Sequence, residues 1–185
     1  MINSVHISAG RMNTDKPGDQ SQELLDVVDD NDRVIDTRTR GEIHRLDLKH
    51  RAVHLLVFND AGQLFLQKRS LLKDNNPGLW DSSVSGHVDA SESYDECVVR
   101  EAREEIGLKL LETPERLFKI DACPETDFEF SWAYRCIAEG PFVLDPVEID
   151  LGVWLEPVEF DHKLAANHED FAQTIRLIWA MYRQI

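Results

Sequence analysis

Residues 86–108 read GHVDASESYDECVVREAREEIGL, and the rest of the chain is best interpreted outward from them. Ser93 and Glu96 have the spacing of a capping box, and Gly107 offers a left-handed stop, so a helix is predicted from about Ser93 to Gly107. At about 100° per residue, Val98, Val99, Ala102 and Ile106 fall on one apolar stripe. Glu101, Glu104 and Glu105 gather on an adjoining arc. Like charges at i, i+3 and i+4 each cost a few tenths of a kcal/mol. Arg100 and Arg103 are too few to neutralise all three. A hard divalent cation would do so, because oxygen ligands on a rigid element suit magnesium. Taken alone, three glutamates on a helix are more often a solvated face.

Upstream, ELLDVVDDNDRVID from Glu23 reads as two short strands around an Asp-Asn-Asp turn, and AVHLLVFNDAGQLFLQKRS as a hairpin about Asp60-Ala61-Gly62. A loop with Pro77 and Gly78 follows, then a short strand, SVSGHV. Downstream, RLFKIDA, FEFSWAYRCIA and DLGVWLEP read as strands. A helix opening at Pro157 runs to about Leu164, and EDFAQTIRLIWAMYRQI reads as a closing amphipathic helix. The pattern predicts an α+β fold whose mixed sheet is covered on both faces. Residues 1–22 are polar and read as a flexible arm, leaving one domain over 23–185.

The chain has 185 residues, 42% of them hydrophobic and 30% charged, which suits one soluble domain with a sizeable core. No apolar run approaches the roughly 18 residues of a membrane span, and the amino terminus lacks a signal-peptide core; a cytoplasmic protein is expected. Cys97, Cys123 and Cys136 form no CxxC pair and read as buried free thiols. A net charge of −15 repels the phosphate backbone, so a nucleic-acid polymer is not expected as a partner. It would repel a small phosphorylated substrate too, unless cations stand between.

The spacing around the three glutamates narrows the reading. Gly86, five residues, Glu92, seven residues, then Arg100-Glu101-Ala102-Arg103-Glu104-Glu105-Ile106-Gly107-Leu108 resembles the complete Nudix box. A chance match of its fixed positions is on the order of one in a million. The motif covers 86–108 directly, and its flanks resemble the Nudix hydrolase superfamily over roughly residues 30 to 175. The resemblance implies an α/β/α sandwich with a mixed β-sheet and a loop-helix-loop motif. It implies that Glu101, Glu104 and Glu105 are catalytic and bind metal, Mg²⁺ with Mn²⁺ as a substitute, and that the Gly86 carbonyl adds a ligand. It also implies that Glu92 and Arg100 form a structural pair holding the loop to the helix.

The stretch HRLDLKHRAVHLLVFNDAGQLFLQKRSLLKDNNPGLWDSSVSGHV is similar to type 1 isopentenyl-diphosphate isomerase, which shares the fold. Ser85 stands where that enzyme has its catalytic cysteine, and a hydroxyl is a far weaker acid and base than a thiol. The resemblance implies a second metal site from His50, His87, Asp127 and Glu129, with His44 near a third histidine position. In a strand, i and i+2 share a face, so Asp127 and Glu129 are expected to act together. Surface or hydrogen-bonded histidines are the plainer reading. Arg51, Arg69 and Lys73 align with basic residues beside that active site and are candidates for holding substrate phosphate. His54 is read as structural, and Trp80 as a core or loop anchor. The expected function is Mg²⁺-dependent hydrolysis of a diphosphate linkage, in a nucleoside diphosphate derivative or another small organic diphosphate. An isomerase-like enzyme and a non-catalytic ligand-binding Nudix module are the alternatives. A homodimer is compatible with the sequence.

Overall fold

A computed structural model describes residues 20–185. The arm expected over 1–22 lies outside the described residues as far as residue 19. Its last positions are not free of the domain: the Ser21 carbonyl accepts the Gly41 amide at 3.0 Å, and the Gln20 side chain is engaged inside the cavity described below.

Strands β1 (Leu24–Val28) and β2 (Val34–Thr39) form a separate antiparallel pair. The turn between them is fixed by Asp29, whose Oδ1 accepts the amides of Asn31 and Arg33 at 2.8 and 2.9 Å. A short helix not foreseen from the sequence, α1 (Arg40–Arg45), follows, with a capping box between Thr39 and Glu42. Six residues are too few to show helical periodicity, so only the cap was there to read.

The main sheet has seven strands and is mixed. β3 (His50–Phe58) pairs in parallel with β8 (Glu129–Ile137) along its length, and β8 pairs antiparallel with β7 (Glu115–Ile120). β4 (Leu64–Arg69) pairs antiparallel with β9 (Ile149–Leu155) and with the two-residue β5 (Trp80–Asp81). The expected β3–β4 hairpin is corrected in one respect: its arms pair only at Phe58↔Leu64 and then part. Beyond that point β3 takes β6 (Val84–His87) as its antiparallel neighbour. Ser83 bridges the split, accepting the Val57 amide at 2.8 Å and donating to the Phe65 carbonyl at 2.6 Å. This opening gives polar side chains room inside the sheet.

Helix α2 (Tyr94–Ile106) starts at a Ser93–Glu96 capping box and ends at Gly107 in the left-handed conformation, φ 69°. Its apolar stripe of Val98, Ala102 and Ile106 is fully buried against Val53, Leu55 and Val57. On the opposite face, Leu56, Phe58, Leu64 and Leu66 meet α3 (Pro157–Ala166) and α4 (Gln173–Tyr182), through Phe160, Ile175, Ile178 and Trp179. The closing helix is shorter than expected because His168–Asp170 form a 3-10 turn before it. Trp80 is part-buried against this second core, and its carbonyl accepts the Ala172 amide at 2.9 Å. Helices on both faces of a mixed sheet make an α/β/α sandwich. All three cysteines are free; Cys97 is buried and the other two are half-buried. No helix among the described residues is long and apolar enough to cross a membrane.

Candidate active site

The split between β3 and β4 opens into a cavity of about 410 Å³. One wall is acidic and comes from α2. Glu101, Glu104 and Glu105 all line it, with Gly86 of β6 beneath them. Glu105 is 2% exposed, and its Oε2 accepts the Gln67 side chain at 3.1 Å and the Ser85 amide at 3.0 Å. Both donors converge on one oxygen, and the other has no partner among the described residues. Burial first, then the charges of Glu101 and Glu148, holds the Glu105 carboxyl well above its ordinary pKa. Burial also lifts Glu101 to about 7, against the pull of Arg100.

Gly86 leaves room for the Glu101 side chain to lie where it does. A Cβ built there would lie 2.1 Å from the Glu101 carboxylate, so the glutamate lies over a position that only glycine leaves open. Arg100 organises the motif. Its Nε and Nη2 donate to the two oxygens of Glu92, both at 2.8 Å, a bidentate pair. The same guanidinium reaches Glu101 at 2.7 Å, Glu104 at 3.2 Å and the His87 carbonyl at 3.0 Å. Glu92 also accepts the Asp89 amide at 3.0 Å, which ties the loop to the helix. One arginine thus reaches three glutamates, and of these Glu101 retains a raised proton affinity.

The other wall carries cations. Arg69 and Lys73 line the cavity, as the sequence reading expected of substrate-facing residues. Arg69 is largely committed: Nε donates to the Asn75 carbonyl at 3.1 Å, and Nη1 to Ser85 Oγ at 3.2 Å and Asp81 at 3.4 Å. Arg51, the third basic candidate, is corrected. It lies outside the cavity, with Nε and Nη2 each donating at 2.6 Å to Asp32 and its guanidinium 5.4 Å from the Tyr94 ring. Strand alternation is the reason: Arg51 shares the α2-facing side of β3 with Val53 and Leu55, whereas Ala52 and His54 face the cavity.

At one end of the cavity His44, His50 and His87 stand with ring centroids 5.1 Å apart and ligand atoms within 4.8 Å of one another. Glu129 Oε1 is 3.1 Å from His87 Nε2 and 3.7 Å from His50 Nε2. Burial holds His87 down at about 3 and keeps His44 low as well. Asp127 and Glu129 both line the cavity, but not by the strand alternation expected of them. β8 begins only at Glu129, and Asp127 is left-handed, φ 54°, its carboxylate accepting the Asn75 amide at 2.9 Å. His54 is buried and bonded to Ser82 Oγ at 2.8 Å, though its edge also reaches the cavity.

The sequence reading missed several residues that line the cavity, among them Gln20, Arg40 and Glu148, and it also missed Gln67, which bonds Glu105 from behind the wall. Glu148 lies in the segment before β9, close enough to raise both Glu101 and Glu105. No motif or period marks any of the four. They are single residues brought in by topology.

A mixed sheet between helices, with a glycine-led loop and a helix delivering an acidic trio into a polar cavity, defines the Nudix class of α/β/α sandwich. Comparison with known proteins agrees. The NUDIX domain family model matches residues 48–175. The chain is 34% identical over 140 residues to a Nudix hydrolase of Yersinia pestis, covering 74% of this chain and 75% of that one. It is 32% identical over 142 residues to the Nudix hydrolase YfcD of Escherichia coli K12, 75% and 77% covered. The crystal structure of DR0079 from Deinococcus radiodurans superposes with TM-score 0.68 at 30% identity, over 78% of this chain and 90% of the other. This chain belongs to the Nudix family, and by class it is a hydrolase of acid anhydrides.

Proposed function

We propose that the chain is a cytoplasmic, Mg²⁺-dependent Nudix hydrolase that cleaves the diphosphate linkage of a nucleoside diphosphate derivative or another small organic diphosphate. The observation carrying this reading is the convergence of Glu101, Glu104 and Glu105 on a cavity whose far wall holds Arg69 and Lys73. The residues fit a divalent cation. Glu101 is laid over Gly86 where a Cβ would exclude it, Glu105 keeps one oxygen without a partner among the described residues, and burial raises the proton affinity of both.

Mg²⁺ held by these carboxylates and the Gly86 carbonyl, with Mn²⁺ as a substitute, would neutralise phosphate charge and make water a better nucleophile. Arg100 holds Glu101 and Glu104 in position, while Gln67 and the Ser85 amide fix Glu105. Lys73 and Arg69 orient the phosphates from the other side. A water oxygen bonds to one phosphorus, the bridging P–O bond breaks, and the water proton passes to a carboxylate of the trio. The experiment is a phosphate-release screen of organic diphosphates with and without Mg²⁺. Glu105→Gln is expected to lower turnover by orders of magnitude while staying folded; a variant as active as wild type would overturn the assignment.

One observation favours a second cation site beside the first, at His50, His87 and Glu129 with His44. His50 Nδ1 lies 2.9 Å from the Leu48 carbonyl, so in the neutral ring it is the donor and Nε2 presents a lone pair. That Nε2 is buried with no hydrogen-bond partner among the described residues. Asp127 would act from further out, through Asn75. Elemental analysis of purified protein tests this: a transition metal retained by wild type should be lost from the His50→Ala/His87→Ala double variant, and equal metal content in both removes the site. The isomerase reaction is not favoured, because the position that would carry its thiol holds the Ser85 hydroxyl, bonded to Arg69.

A further inference from the structure

Arg40 presents an unresolved cation. It is 2% exposed and lines the cavity, and its Nε is buried with no hydrogen-bond partner among the described residues. Among the described residues no carboxylate is in ion-pair contact with it. The side-chain contact it does make is from Nη1 to Gln20 Oε1, at 3.2 Å. Lys73 Nζ donates to that same oxygen at 2.9 Å and also pairs with Glu148. Gln20 Nε2 in turn donates to Glu148 Oε1 at 3.1 Å. Two cations therefore converge on one neutral amide oxygen. A buried guanidinium so thinly provided for is costly, and charge-assisted bonds to an anionic oxygen are roughly twice as strong as bonds to a neutral one.

We propose that Arg40 and Lys73 form a subsite for a terminal phosphate of the substrate, and that the Gln20 side-chain oxygen occupies this subsite until the phosphate displaces it. The inference rests on the reading of the cavity as a diphosphate site and refines it. Arg69 already has three partners, so the group with donor capacity to spare is Arg40, which projects from α1 and lies outside the Nudix box. Gln20 is suited to leave: it precedes the first strand, and its backbone is tied by a single described bond, from the Glu23 amide to its carbonyl at 3.1 Å.

The test is calorimetric titration of the full chain, in Mg²⁺, with methylenediphosphonate, whose P–C–P bridge resists hydrolysis. Arg40→Gln is expected to weaken binding at least tenfold. Gln20→Glu is expected to weaken it as much, because a fixed carboxylate would compete for the same cations, whereas Gln20→Ala should bind as tightly as wild type or more so. Folded Arg40→Gln or Gln20→Glu protein binding within twofold of wild type overturns the subsite. So does a tenfold loss in Gln20→Ala, or absence of binding to wild type. If Arg40→Gln does not fold, the two Gln20 variants decide. Failure of the hydrolase reading would show separately, as no phosphate release from any diphosphate while the analogue still binds in the expected order.

Discussion

Gly86 shows how one absent atom can determine a site. Its backbone needs no special conformation, so alanine is allowed there; the conflict is with the end of the Glu101 side chain, 2.1 Å from the added carbon. A flexible side chain can swing away, which separates folding from function. Gly86→Ala is therefore expected to cost only about 1 kcal/mol of stability, the low end for overpacking. The displaced Glu101 should lower turnover by about a hundredfold, the scale of an ångström misplacement at a reacting centre. Thermal unfolding and phosphate release on the same preparation check both halves, and wild-type turnover in a folded variant would show that the close approach is incidental. Gln67 of β4 is the corresponding case for Glu105 of α2, donating to one oxygen of its carboxylate.

At the scale of elements, α2 is the part of the molecule most fully written into local sequence. Its cap, its stop and its buried stripe each follow from side-chain chemistry within a few residues, and the structure has them in place. Ser93 and Glu96 are exposed and away from the cavity. Ser93→Ala is thus expected to cost about 1 kcal/mol, the usual worth of such a cap, and to lower the melting temperature by roughly 2–4 °C. Turnover per folded molecule should be unchanged; a large loss of turnover would mean the cap also sets the register of the glutamates. The strands were less legible in their pairing than in their existence. A hairpin turn at Gly62 was readable, but the parting of β3 from β4 depends on Ser83 and β6, which are distant in sequence. Alternation could have excluded Arg51, because its neighbours Ala52 and His54 face the cavity and it cannot. For Asp127 alternation misled, because Asp127 and Phe128 are left-handed and β8 begins only at Glu129. Arg40 and Glu148 left no local trace, since what makes them part of the site is the folding of α1 and the β9 approach around one cavity.

Over the whole molecule, 35 acidic residues oppose 20 basic ones, and the cavity concentrates that imbalance where it can be used. Without a cation, Glu101 and Glu105 favour their protonated forms; Glu101 is raised from 4.5 to about 7 by burial. The sign follows from linkage: a carboxyl with a raised folded-state pKa stabilises the fold most below 4.5, and that contribution is lost as pH rises through about 7. Above about pH 7 the metal-free protein therefore carries the cost of an ionised, buried Glu101 beside Glu105, and a divalent cation has most to relieve there. Below pH 5 the same cation must first displace protons. His54 and His87, held low by burial, add acid sensitivity of their own, so the comparison has to be made at fixed pH with the metal as the variable. Saturating Mg²⁺ at about a hundred times its dissociation constant is worth about 2.7 kcal/mol, or roughly 5–10 °C in a domain of this size. The expected outcome is a shift of that order between Mg²⁺ and EDTA at pH 8 that all but vanishes at pH 5. It should also be absent at both pH values in a Glu101→Gln/Glu105→Gln double variant. An equal shift at pH 8 and pH 5 would place the cation elsewhere on the acidic surface, away from the trio on α2.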